Sequence, residues 1–162
     1  MSIKRNMSDP NIEILKKETL VQAIKNAPGT KLFNSLMVRL KDSGEIQDIL
    51  NDGEYSCAFF VSSLLYISDL IDKPRVTVDS LERYLKEHAT EIDLADAKEG
   101  DIVVWEKQTF PDGGVHGHIG FLLGSKEAIS TNFRVKHVER HAIDAYERVG
   151  KTVYRLVDAK VQ

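Results

Sequence analysis

The chain carries one cysteine, Cys57, within the run "EYSCAFFVSSLLY". A thiol does covalent chemistry when its pKa is lowered, an imidazole stands near it and a third group orients that imidazole. Cys57 follows the turn-forming stretch "NDGEYS" and opens an almost continuous apolar segment, which places it at a helix start. Unpaired backbone N–H groups and the helix dipole favour a thiolate there. Downstream, "HGHIGFLLG" reads as a strand. Alternation puts His116, His118, Gly120 and Leu122 on one face and Ile119, Phe121 and Leu123 on the other, so either histidine is a candidate to face the buried helix. Beyond a "GSKE" hairpin, "AISTN" sets Ser130 and Asn132 on a shared face as a pair of candidate orienting groups.

The elements that must position these residues follow from periodicity and punctuation. "SDPNIEILKKETLVQAIKNAPG" has a capping Ser/Asp, an early proline and a Pro-Gly stop around Ile12, Leu15, Leu20, Ile24 and Ala27, which predicts an amphipathic helix. In residues 31–50, Leu36, Met37 and Val38 are strand-like, whereas "GEIQDIL" after a Ser-Gly break reads as a short helix. The cysteine segment, apolar on most sides, predicts a buried helix. "PRVTVDSLERYLKEHA" predicts a polar helix, with Asp79 and Glu82 at capping-box spacing. From there "GDIVVWE", "HGHIGFLLG", "EAISTN", "HVERHAI" and "KTVYRLV" are short β-prone runs between turns, which predicts an antiparallel sheet. Helices first and sheet second make an α+β fold with one helix packed on the sheet.

Length and composition narrow the function classes. The 162 residues, 42% of them hydrophobic, suit one ordinary domain with a sizeable core. A formal net charge of −3 gives no basic surface for nucleic acid. One cysteine makes no internal disulfide, no CxxC redox pair and no thiolate zinc cluster. The first ten residues carry charge without an apolar run behind them, and no eighteen-residue apolar stretch occurs, so neither a signal peptide nor a membrane span is expected. The expected location is cytoplasmic as synthesised, with export by another route left open.

The succession "SCAFFVSSLLY", "GDIVVW", "GHIGFLLG" and "AISTN" resembles the papain-like NlpC-type and CHAP-type cysteine peptidase and amidase superfamily, mostly bacterial and phage cell-wall hydrolases. The resemblance covers about residues 53–135 and implies a papain-like catalytic domain over 31–162, preceded by an N-terminal helical extension over 1–30. The family's imidazole, small apolar residue and glycine fall on His118, Ile119 and Gly120, which ranks His118 above His116 as base. The third family residue is commonly a histidine in NlpC-type members. Here Ser130 stands at that spacing, while Asn132 matches the CHAP-like use of an amide. Asn132 is preferred as the orienting group, because an amide oxygen holds the imidazole N–H where a serine hydroxyl reaches less far. Ser56 is a second departure, since many NlpC-type members have an acid immediately before the cysteine.

The implied activity is hydrolysis of an amide or isopeptide bond through a thioester, with Cys57 as nucleophile, His118 as acid and base, Asn132 orienting it, and no cofactor or metal. The backbone N–H of Cys57 is expected to help hold the oxyanion. By resemblance the substrate is a peptide or peptidoglycan fragment. The alternatives are a same-fold amidase or peptidase on a cytoplasmic amide and a catalytically silent peptide- or glycan-binding domain. Each residue also has a structural reading: Cys57 and His118 as packed core residues, Asn132 as a turn former, Trp105 as sheet core, His116 as a loop-edge residue supporting the pocket. A zinc site built on His116, His118, His137 and His141 ranks below the thiol hydrolase. His137 and His141 stand four apart in a segment read as strand and turn, where they would not share a face, and no completing carboxylate is evident.

Overall fold

The computed structural model describes residues 8–109 and 113–157. Three helices precede and flank a six-stranded antiparallel sheet, which is the α+β arrangement expected from the sequence. Helix α1 spans Lys16–Asn26, α2 Cys57–Ile67 and α3 Val78–His88. A two-stranded ribbon, β1 (Met37–Arg39) and β2 (Ile46–Asp48), lies between α1 and α2. The main sheet comprises β3 (Ala89–Ile92), β4 (Glu99–Thr109), β5 (Val115–Leu123), β6 (Glu127–Asn132), β7 (His137–Ala142) and β8 (Lys151–Leu156). Its strand order is β3-β8-β4-β5-β6-β7.

The sheet buries both faces, so its central strands read as apolar runs. One face carries Ile102, Val104, Ile119, Phe121, Ile129 and Tyr154 against Phe60, Val61, Leu64 and Leu65 of α2 and Leu81 and Leu85 of α3. The Phe60 and Phe121 rings meet edge to face at 5.8 Å. The opposite face holds a smaller cluster of Val103, Trp105, Leu122, Ala128, Ile143 and Val153. Leu20, Ile24 and Ala27 of the first thirty residues join the larger cluster, and the chain after them is tied to β7 by Gly29 N–H to Val138 O (2.7 Å) and Val138 N–H to Thr30 O (3.1 Å). Residues 1–7 of the expected extension lie outside the described residues. Among the described residues no helix is long and apolar enough to cross a membrane.

Three local expectations are corrected. The first helix begins at Lys16, well after the Ser-Asp signal, because Asp9 spends its carboxylate on the Asn11 N–H at 2.9 Å, an Asx turn, and the chain runs on non-helically to Leu15. "GEIQDIL" contributes strand β2 and no helix. There Asp48 accepts from the backbone N–H groups of Leu36 (2.9 Å), Leu50 (3.0 Å) and Asp52 (2.9 Å), which organises a turn that a helix would not offer. Those N–H groups, Asp52 foremost, hold the Asp48 carboxyl down at about 2. The cap of α3 is Thr77, whose hydroxyl accepts from Ser80 N–H at 3.1 Å, so Asp79 falls inside the first turn.

Candidate active site

The turn before α2 sets the position of Cys57. Asn51, Asp52 and Gly53 take left-handed φ values of 49°, 50° and 90°, a run that suits these three residue types. A Cβ on Gly53 would come within 2.7 Å of the Asn34 side chain, which in turn donates to Lys136 O at 2.7 Å. Ser56 is buried and donates its hydroxyl to Gly53 O at 3.0 Å. It therefore makes no side-chain cap on α2. The N–H groups of the first turn of the helix, including that of Cys57, are left for whatever approaches the thiol.

Pairing between β5 and β6 is confined to Phe121↔Ile129 and Leu122↔Ala128, whereas β5 continues on β4 as far as Thr109↔Val115. The first half of β5 thus parts from the second half of β6, and a cleft of about 710 Å³ opens where they separate, lined among others by Cys57, His116, His118, Thr131 and Arg148. The sequence makes either histidine a candidate to face the helix. The body of α2 packs on the Ile119 and Phe121 face, and His118 belongs to the other face, beside Trp105 at 5.2 Å between rings. Only the first residue of α2 reaches the strand opening, where the Ile119 N–H is turned to the thiol.

His118 Nε2 lies 2.9 Å from Ser130 Oγ, and Ser130 Oγ lies 2.7 Å from His141 Nε2. His141 Nδ1 lies 2.8 Å from the carbonyl oxygen of Ala142. This chain of contacts fixes the protons from one end. A carbonyl only accepts, so His141 Nδ1 carries hydrogen. Burial holds His141 below its ordinary value, so its Nε2 keeps a lone pair and accepts from the Ser130 hydroxyl. The Ser130 oxygen then accepts from His118 Nε2–H, and the lone pair of His118 is left on Nδ1. Gly120 makes room for this: a Cβ there would stand 2.8 Å from that of Ser130 and 3.3 Å from the Trp105 ring. Trp105, buried as expected, donates Nε1–H to Ile143 O at 3.1 Å and lies between 5 and 6 Å from both imidazoles.

Asn132 stands on the same face but in another network. Its Nδ2 donates to Glu139 Oε1 and to the Tyr146 hydroxyl, each at 2.8 Å, and its Oδ1 accepts from Arg134 N–H at 2.8 Å. Tyr146 also donates to Glu139. The structure therefore brings His118 to Ser130, and gives Asn132 the turn-forming contact to Arg134. His116 lines the cleft with its ring 5.5 Å from that of Tyr55. Among the described residues no group of three or more His, Cys, Asp or Glu side chains is arranged to hold a metal ion.

Burial dominates the electrostatics. It pushes the Cys57 thiol above its ordinary value, against the backbone N–H groups of Ile119 and Ala58 and the charge of Arg148. Burial also holds His118 well below an ordinary imidazole, with Arg148 and His141 adding to the effect. Both shifts favour the uncharged forms, thiol and imidazole, and so act against the thiolate expected from the helix start alone. Two residues of this site were missed in the sequence. The sequence of "HVERHAI" reads as strand and turn, which separates His141 from its neighbours, whereas β7 is continuous over His137–Ala142 and period 2 puts His137, Glu139 and His141 on one face. Arg148 lies in a loop and carries no local signal.

No family model matches the chain, and no curated protein sequence matches it. Its fold is similar to the crystal structure of a protein described as similar to a lipoprotein of the NLP/P60 family, from Staphylococcus aureus subsp. aureus Mu50. The TM-score is 0.53 at 13% sequence identity, over 94% of this chain and 45% of that one. The chain thus spans less than half the length of that protein, and at this identity the likeness is one of fold.

Proposed function

We propose that this protein is a cysteine hydrolase that cleaves an amide or isopeptide bond in peptidoglycan peptides. The observation that carries the reading is the Ala142–His141–Ser130–His118 relay, which ends in a free imidazole lone pair in the cleft that also holds Cys57. Ser130, backed by His141, takes the orienting role that the resemblance gave to Asn132. The substrate class is supported by the fold likeness and by the resemblance of the motifs.

The Cys57 sulfur attacks the amide carbonyl as its proton passes to His118 Nδ1. Shifts that favour the neutral pair make this transfer part of the attack. The oxyanion of the tetrahedral intermediate meets the uncapped N–H of Cys57 at the start of α2. His118 then gives its proton to the departing amine as the C–N bond breaks, leaving a thioester. Water attacks the thioester with His118 as base, which releases the acid and restores the thiol. The sum is one amide and one water converted to one acid and one amine.

The test is mass analysis of muropeptides after incubation with the protein and with Cys57→Ala. Fragments whose masses sum to a parent plus one water, present only with the unmodified protein, are expected. Intact muropeptides that bind equally to both proteins would instead identify a silent binding domain.

A further inference from the structure

Arg148 is buried, at 8% exposure, just before β8. Its guanidinium carbon sits 5.0 Å from the centroid of Trp105 and 5.1 Å from that of Tyr146. Its Nη1 has no hydrogen-bond partner among the described residues. The groups whose charge favours it are Cys57 first, then Tyr146 and Glu139, and Glu139, the one carboxylate among them, is already engaged by Asn132 and Tyr146. Aromatic faces ease the burial of a guanidinium but do not supply an acceptor for its N–H groups. Arginine does not escape the cost by losing its proton: burial brings Arg148 down to about 10, which leaves it charged at neutral pH. Buried charges are ordinarily paired. Here the charge stands in the wall of the cleft that holds Cys57 and His118. Lys107, another cation of the cleft, pairs with Asp79 at 3.1 Å.

Two anions can complete such a site: the thiolate formed on Cys57 during attack, or one carried in by the substrate. The planar fork of a guanidinium matches a carboxylate in two parallel hydrogen bonds, whereas a single sulfur uses only part of it. We propose that Arg148 is the anion subsite of the cleft and takes a carboxylate of the substrate close to the bond that Cys57 attacks. The substrates are then acidic peptides, and amidation of that carboxylate weakens them. This deepens the hydrolase reading and rests on it for the word substrate, but its test needs no turnover.

Cys57 is the only cysteine of the chain, so its alkylation reports this site alone. Iodoacetate and iodoacetamide differ in one carboxylate. With the unmodified protein, labelling by iodoacetate should saturate with reagent concentration, and Arg148→Gln should lower the iodoacetate-to-iodoacetamide rate ratio by about tenfold or more, the scale of a charge-assisted hydrogen bond. Arg148→Lys, which keeps the charge and loses the fork, should lie between. A second arm needs no variant: millimolar N-acetylglutamate should slow labelling of the unmodified protein by iodoacetate, and uncharged N-acetylglutaminamide should not. Equal loss of both rates in Arg148→Gln would overturn the proposal, since Arg148 then serves the thiolate alone. An unchanged ratio, or no protection by N-acetylglutamate, would overturn it as well. Failure of the hydrolase reading is distinct: muropeptides stay intact while the labelling preference persists.

Discussion

Replacing Ser130 by alanine removes the one atom that joins the two imidazoles. Ser130 is 1% exposed, and its Oγ contacts His118 Nε2 at 2.9 Å and His141 Nε2 at 2.7 Å, so no bulk water stands ready to take its place. Each such bond contributes about 0.5–1.5 kcal/mol net, so the pair is worth about 1–3 kcal/mol of restraint on the tautomer and aim of His118. At about 1.4 kcal/mol per factor of ten, kcat should fall between roughly fivefold and a hundredfold. KM should change little, because the hydroxyl acts on the base and not on the substrate. Steady-state hydrolysis of a purified muropeptide by Ser130→Ala and Asn132→Ala, with denaturant melts of both, makes the comparison. Asn132→Ala should keep kcat near that of the unmodified protein, since its amide is spent on Glu139, Tyr146 and Arg134. A silent Ser130→Ala beside a damaged Asn132→Ala would refute the relay.

Four further outcomes follow from the structure. Because His118 is held well below its ordinary value by burial first, then by Arg148 and His141, kcat should persist into mildly acidic pH and fall only as pH drops through that depressed value. An acidic limb centred at the ordinary ~6.5 would contradict this. The linked stability has the same sign: above about 6.5 the His118 contribution is complete, and below it the unfolded chain takes up a proton the folded site refuses, so urea melts should show stability lost toward acid. The pH profile of iodoacetamide labelling at Cys57 should have its midpoint above the ordinary thiol value of about 8.5, and a midpoint well below it would restore a preformed ion pair. Gly53→Ala, at φ 90° and with Asn34 2.7 Å from the new Cβ, should cost about 2–4 kcal/mol in a denaturant melt.

What the sequence showed and what it hid divide along physical lines. Cys57 at a helix start is a local matter of a turn followed by apolar residues, and the five downstream strands are local alternation, so both were legible. The choice between Ser130 and Asn132 was not. They share a face, and what separates them is the tertiary placement of β5 and β7, which brings His118 to Ser130 and Glu139 to Asn132. His141 needed β7 to be read as one unbroken strand. Alternation sets His118 apart from Ile119 and Phe121 but does not say which of the two faces a helix covers. "GEIQDIL" has helical spacing, but the Asp48 carboxylate binds three backbone N–H groups, and that network overrides propensity. Arg148 is placed by a loop whose Tyr146 and Glu147 take left-handed φ values of 63° and 55°, for which the sequence holds no strong cue.

Hydrolysis through a thioester requires that Cys57 form a covalent bond to substrate during turnover. Intact-mass spectrometry of the protein, quenched in acid within seconds of mixing with muropeptide, tests it most directly. An adduct on Cys57 equal to the acid product less water is expected, decaying as product accumulates and missing in Cys57→Ala. Muropeptide cleavage that proceeds in Cys57→Ala, with no adduct in either protein, would contradict it.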